Sequence, residues 1–156
     1  MTNTVTHAGL HQRLEEEQQA LMALLTGLSD QHWTDVSRSD GWSVHEVVGH
    51  LADSNYGLAL MTLGEIPPAI PLNDQGKLDP SGINESGRQR NAALGREKIV
   101  ERLTKSFGHV RRAIDGSADL QADGPYGPGS TRGMWLQRII DHMAEHRREL
   151  EGVIGS

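Results

Sequence analysis

Two histidines one helical turn apart, His142 and His146 in the sequence DHMAEHRREL, are the residues best placed to do chemistry. At about 100° per residue along a helix, they fall in one sector together with the apolar residues Trp135, Ile139, Leu150 and Val153. Both imidazoles are therefore predicted to point towards the core. Histidines at positions i and i+4 of one helix can share a metal ion, as in helical zinc sites. The same spacing also suits two buried structural histidines, so both interpretations stand at this point.

A third metal ligand has to come from elsewhere, and His50 in the sequence GWSVHEVVGHLADSNYG is the candidate. It lies on the flank of an apolar stripe, where it can face a neighbouring helix at a seam of a bundle. Three neutral imidazoles leave a divalent ion with an open coordination position, which is the arrangement of catalytic zinc sites. Such an ion activates water or holds a thiol as thiolate at neutral pH. Zinc is the first expectation and nickel the second, although three imidazoles also suit copper and iron.

Acidic residues near these histidines are candidates for supporting roles. Glu46, Asp53 and Asp141 can accept hydrogen bonds from imidazole N–H groups and so orient the rings, or they can be ordinary solvated carboxylates. Glu46 and Asp53 are also weak candidates for a catalytic base. The sequence indicates no other catalytic residue and no cofactor-binding residue besides the metal ligands.

The remaining histidines are predicted to have no part in the site. His7 and His11 share the i, i+4 spacing, but they lie in a polar N-terminal stretch and are expected to be solvated. His32, His45 and His109 are single and are expected at the surface or at the edge of the core.

Composition narrows the class of protein. A chain of 156 residues suits one domain, here predicted over residues 1–156. The chain has no cysteine, so a metal would be held by nitrogen and oxygen donors. A net charge of −6 argues against a nucleic-acid partner, and no apolar run is long enough for a membrane span. The first residues do not resemble a secretion signal, so a cytoplasmic location is expected.

Apolar residues recur at helical spacing in four segments, and no strand pattern of useful length competes. The third segment is the least certain at its start because glycines weaken it. The sequence therefore predicts an all-α four-helix bundle with long connections between helices 2 and 3 and between helices 3 and 4. The first connection, Gly64 to Asn84, is expected to help shape the site. The predicted helices run from Ala8 to Leu28, from the capping box at Ser43 to about Gly64, from Glu85 to Asp115, and from Thr131 to Val153.

His50 in GWSVHEVVGHLADS and the pair in DHMAEHRREL give the chain a pattern that resembles the DinB-like superfamily, including its branch similar to mycothiol-dependent maleylpyruvate isomerases. The stretches LSDQHWTDVSRSDGWSV and NESGRQRNAALGREKIVERL are similar to that branch too, so the resemblance covers nearly the whole chain. It implies a four-helix bundle, a divalent metal held by three histidines, and a homodimer. It also implies thiol-transfer or isomerase chemistry that uses a low-molecular-weight thiol and a small-molecule substrate.

Three functions stay open on the sequence. The first is a metal-dependent thiol transferase or isomerase, in which the metal presents the sulfur of a small thiol as a nucleophile. The second is a metal-dependent hydrolase, which needs a carboxylate base such as Asp53 or Glu46. The third is a metal-binding or stress-response protein without catalysis, or a bundle whose histidines are merely buried.

Overall fold

Four long helices make up most of this computed structural model, which describes residues 5–36, 41–65, 80–124 and 127–154. Two shorter helices and a two-stranded antiparallel ladder complete the described part of the chain, and the predicted all-α four-helix bundle is confirmed. In chain order the elements are α1 (His7–Thr26), α2 (Asp30–Thr34), α3 (Val44–Thr62), α4 (Pro80–Ala92), α5 (Arg96–Gly116), β1 (Asp123–Gly124), β2 (Gly127–Thr131) and α6 (Arg132–Ile154).

The core lies between the four long helices. Helix α3 packs against α5, α6 and α4, while α1 packs against α5 and α6. Apolar side chains at helical spacing fill the space between them, because each helix buries the stripe that its sequence makes apolar. Fully buried examples are Leu14 and Leu21 of α1, Val48 and Leu51 of α3, Leu103 and Phe107 of α5, and Ile139 and Met143 of α6. No helix in the described ranges combines the length and apolar character needed to cross a membrane.

The predicted start of the second long helix is confirmed in detail. The Ser43 side chain accepts a hydrogen bond from the backbone N–H of Glu46 (3.2 Å), and the Glu46 carboxylate accepts one from the backbone N–H of Ser43 (3.1 Å). This reciprocal pair satisfies two backbone donors that the first turn of a helix would otherwise leave without partners. The register of α3, and with it the position of His50, is thereby set from its first turn.

The predicted third helix, Glu85 to Asp115, is wrong as a single element. The structure divides this segment into α4 and α5, which are separated by a turn at residues 93–95. Gly95 is the N-cap of α5 with an extended backbone (φ −74°, ψ 168°), so the helical hydrogen-bond ladder is interrupted there. The predicted loop from Gly64 to Asn84 also ends too late, because α4 begins at Pro80. Proline suits a first helical position, where the missing N–H has no acceptor to lose; residues 66–79 lie outside the described ranges.

Helix α4 lies directly against α3, and a glycine makes this close approach possible. A Cβ atom at Gly49 would come within 2.6 Å of Nδ2 of Asn91, so an alanine there would force the two helices apart. Asn91 and Arg102 both bind the Asp53 carboxylate, through Asn91 Nδ2 at 2.9 Å and Arg102 Nη2 at 2.6 Å. These contacts fix α4 and α5 against the side of α3 that adjoins His50.

Candidate metal centre

Helices α3 and α6 bring His50, His142 and His146 together. One ring nitrogen from each histidine lies within 4.8 Å of the nitrogens of the other two. The ring centroids are 5.2 Å apart for His50 and His142, 5.1 Å for His50 and His146, and 4.5 Å for His142 and His146. The rings meet edge to face, so three nitrogens converge while the ring faces avoid stacking. The sequence-based grouping of these three residues therefore describes neighbours in the fold.

The pair on α6 has the spacing that a shared ion requires. Nε2 of His142 and Nε2 of His146 lie 3.1 Å apart. Two nitrogens bound to one zinc ion at about 2.1 Å each, in a tetrahedral arrangement, are about 3.4 Å apart. Little adjustment of the side chains is needed to reach that separation. His146 is buried, with 8% of its surface exposed, whereas His142 and His50 are half-buried.

The hydrogen bonds of His146 indicate which of its nitrogens carries the proton. Its Nδ1 lies 2.5 Å from Oε1 of Glu149. A carboxylate only accepts hydrogen bonds, so in a neutral ring Nδ1 is the donor and the lone pair is on Nε2, which lies within hydrogen-bond distance of Nε2 of His142. That lone pair faces His142, where a metal ion would bind. The donor set of neutral imidazoles thus fits a divalent ion such as zinc or nickel.

An aromatic side chain forms one wall of the cluster. The indole of Trp42 meets the ring of His50 edge to face, with 5.7 Å between centroids. The guanidinium carbon of Arg88, on α4, lies 5.5 Å from the centroid of the Trp42 ring. Ser54, one turn after His50 on α3, places its hydroxyl 3.4 Å from Nε2 of His50, a long and weak contact. The side of the cluster nearest α4 is therefore apolar at Trp42 and carries the ion pair of Arg88 with Glu46 beyond it.

The three carboxylates singled out in the sequence are bound to arginines. Glu46 contacts Arg88, and Asp53 accepts hydrogen bonds from Arg102 and Asn91. Asp141 pairs with Arg13 of α1 at 2.6 Å. Burial raises the pKa of Glu46, but the hydrogen bonds from Arg88 and Ser43 lower it more, so this pKa lies below its ordinary value. Glu46 is therefore an ionised structural anchor at neutral pH.

Sequence reasoning missed Glu149, the carboxylate that contacts His146. The missed signal was local, because Glu149 follows His146 by three positions and a helix places such residues side by side. Glu149 lies in the same motif, DHMAEHRREL, as both α6 histidines.

The prediction that His7 and His11 are simply solvated is wrong. His7 Nε2 donates to the carbonyl oxygen of Ser117 (2.7 Å), and His11 Nε2 lies 2.8 Å from Oδ1 of Asp115. Both partners are at the C-terminal end of α5, so this pair ties α1 to α5. The exposed carbonyls at a helix end attract such donors.

The other single histidines lie at intermediate burial, as predicted. The indole N–H of Trp33 donates to Nδ1 of His45 (2.7 Å), and Nε2 of His45 lies 3.0 Å from the carbonyl oxygen of Asn91. His109 packs edge to face on Tyr56, with centroids 4.7 Å apart. These residues join secondary-structure elements and lie outside the three-histidine cluster.

Comparison with known proteins identifies a family that spans most of the chain. The profile of the DinB superfamily matches residues 13–150. No curated protein matches the chain.

Two solved structures share the fold. The crystal structure of an uncharacterised protein from Escherichia coli UTI89 superimposes with a TM-score of 0.74 at 16% identity, covering 96% of this chain and 92% of that one. TT2238, described as a four-helix bundle protein, superimposes with a TM-score of 0.61 at 22% identity, covering 94% of this chain and 99% of that one. At these identities the likeness concerns the fold alone.

Proposed function

The chain belongs to the DinB superfamily. We propose that it binds one divalent metal ion through His50, His142 and His146. The observation that carries the proposal is the convergence of one nitrogen from each histidine within 4.8 Å. Three neutral ligands leave the full charge of the ion in place and one coordination position open. Zinc is the first candidate and nickel the second, since both accept imidazole ligands.

We further propose that the protein is a metal-dependent thiol transferase or isomerase that uses a low-molecular-weight thiol. The ion, when bound, supplies a Lewis-acid centre at which a thiol loses its proton at neutral pH. The thiol must come from outside, because the chain contains no cysteine. His146 is held by Glu149, and Trp42 offers an apolar surface beside His50 for the carbon skeleton of a bound molecule.

Thiol transfer is preferred over hydrolysis because of the state of the nearby carboxylates. A hydrolase needs a carboxylate free to take a proton from water. Glu46 is paired with Arg88, and the hydrogen bonds it accepts lower its pKa, which makes it a weaker base. The Asp53 carboxylate is occupied by hydrogen bonds from Arg102 and Asn91.

Metal analysis of untagged protein tests the site directly. We expect about one equivalent of a divalent metal in the parent protein, and loss of that metal in the double variant His142→Ala, His146→Ala. The double variant His7→Ala, His11→Ala is the matched control, because it removes the same residue types at the same spacing on α1. Less than about a tenth of an equivalent in the parent after reconstitution would contradict the proposal.

A conjugation assay tests the chemistry. The metal-loaded protein is incubated with an electrophilic substrate and with a mycothiol-like thiol, a bacillithiol-like thiol or glutathione. Turnover that requires one of these thiols supports the transferase. Turnover without any thiol would favour hydrolysis, and a metal-loaded protein inactive under all conditions would favour a metal-binding protein without catalysis.

A further inference from the structure

Glu149 contacts the three-histidine cluster from α6 itself. Its Oε1 lies 2.5 Å from Nδ1 of His146, while Nε2 of the same ring lies 3.1 Å from Nε2 of His142. The two ring nitrogens of His146 therefore have different partners. One binds the carboxylate, and the other faces the remaining histidines.

We propose that Glu149 is a positioning residue that fixes the tautomer and the direction of the His146 ring. A neutral imidazole carries its proton on either nitrogen, and only the nitrogen without the proton can bind a metal ion. The Glu149 carboxylate accepts a hydrogen bond from Nδ1–H, which keeps the proton on Nδ1 and the lone pair on Nε2, the nitrogen that faces His142. That this tautomer strengthens metal binding rests on the metal site proposed above.

The surroundings of the pair support a directing role. His146 has 11% of its side chain exposed and Glu149 has 31%, so the hydrogen bond between them is partly shielded from water. A charged acceptor in such a setting makes a stronger bond than a neutral one. Because both residues are on one helix, three positions apart, the carboxylate is held beside the ring by the backbone of α6.

The hydrogen bond between His146 and Glu149 lies within α6, so a positioning role and a structural role can be tested separately. Urea unfolding of Glu149→Ala and Glu149→Gln, measured beside the spectra below, separates a loss of stability from a change of tautomer. Glu145 offers a matched control. It follows His142 by three positions, as Glu149 follows His146, and it is exposed.

Nuclear magnetic resonance of the metal-free protein tests the tautomer. Long-range ¹H–¹⁵N correlation spectra distinguish an imidazole protonated at Nδ1 from one protonated at Nε2. We expect His146 of the parent to be protonated at Nδ1, Glu149→Ala to shift it towards the Nε2 form, and Glu145→Ala to leave it unchanged. Glu149→Gln, whose amide oxygen can still accept a hydrogen bond from Nδ1–H, should restore part of the Nδ1 form. An unchanged tautomer in Glu149→Ala would overturn the proposal.

Zinc affinity, measured by competition with a chromogenic chelator, tests the consequence. We expect Glu149→Ala to bind zinc about 10- to 100-fold more weakly than the parent, with Glu149→Gln between them and Glu145→Ala equal to the parent. Equal affinity of Glu149→Ala and the parent would contradict a positioning role. If the parent binds no zinc, the metal proposal fails, while the spectra still decide whether Glu149 directs the ring.

Discussion

Among single residues near the histidine cluster, Glu46 makes the free energy of unfolding depend on pH through the ionisation of its carboxylate. Burial raises its pKa, but hydrogen bonds from Arg88 and Ser43 lower it more, to below its ordinary value of 4.5. Such a carboxylate stabilises the folded state above its unfolded-state pKa, and this contribution is lost as the pH falls through the folded-state pKa. We therefore expect Glu46→Gln to be less stable than the parent by about 1–2 kcal/mol at neutral pH. The difference should shrink as the pH falls below about 4.5.

Urea unfolding at several pH values measures that difference. Glu85→Gln is the control, because Glu85 is exposed and its nearest Arg88 nitrogen is 3.5 Å away. An exposed pair of this kind contributes little, so a change within about 0.5 kcal/mol is expected. If Glu46→Gln differed from the parent by the same amount at every pH, the hydrogen-bonded carboxylate would not be the cause.

Local periodicity was sufficient to find the three histidines, since helical spacing decides which residues share a face. The i, i+4 spacing alone placed His142 and His146 on one face. His50 was placed by its position on the flank of the apolar stripe of its helix. The partners of His7 and His11 could not be found in this way. They lie more than a hundred positions away in sequence, so only the packing of α1 against α5 reveals them.

At the scale of elements, two glycines of α3 should respond in opposite ways to alanine. A Cβ at Gly49 would meet the Asn91 side chain at 2.6 Å, whereas a Cβ at Gly57 would meet nothing within 4 Å. Overpacking costs about 1–3 kcal/mol, and alanine in a helix is more favourable than glycine by about 0.5–1 kcal/mol. We expect Gly49→Ala to destabilise the fold and Gly57→Ala to stabilise it, as measured by urea unfolding. Equal effects would show that α4 does not pack closely on α3.

Helix starts with a strong capping signal were predictable, and helix breaks without one were not. Ser43 and Glu46 marked the start of α3 because both partners of the capping box are side chains. The break before α5 comes at Gly95, which has no side chain and so cannot make the capping hydrogen bond that would mark a helix start in the sequence. A glycine inside a helical pattern signals only weak propensity, so the packing of α4 on α3 decides that the chain turns there.

At the scale of the whole molecule, Glu17 and Arg147 join α1 to α6. Glu17 is 8% exposed, and its Oε1 lies 2.5 Å from Nε of Arg147. The hydrogen bond that Arg147 donates to Glu17 raises the pKa of Arg147, which stays charged. Removing Glu17 breaks two hydrogen bonds between α1 and α6, although Arg147 keeps Glu151 as a partner on its own helix. We therefore expect Glu17→Ala to cost about 1.5–3 kcal/mol of unfolding free energy.

Thermal and urea unfolding of Glu17→Ala measure this cost. Glu15→Ala on the same helix is the control, because Glu15 is exposed and lies 3.7 Å from Arg111. Its effect should stay within about 0.5 kcal/mol. Similar losses of unfolding free energy in both variants would mean that burial of the Glu17–Arg147 pair does not increase its contribution to stability.

The three histidines come from two helices that are far apart in the chain, since His50 and His142 are separated by about ninety positions. An ion bound by all three would be a cross-link, closing a long loop that is open in the unfolded chain. Binding to the folded state alone adds stability that grows with the concentration of free ion. The melting temperature of the proposed holoprotein would then follow metal supply and fall on addition of a chelator. A low concentration of the free metal ion would thus favour unfolding and proteolysis, so the amount of this protein would follow the supply of that ion.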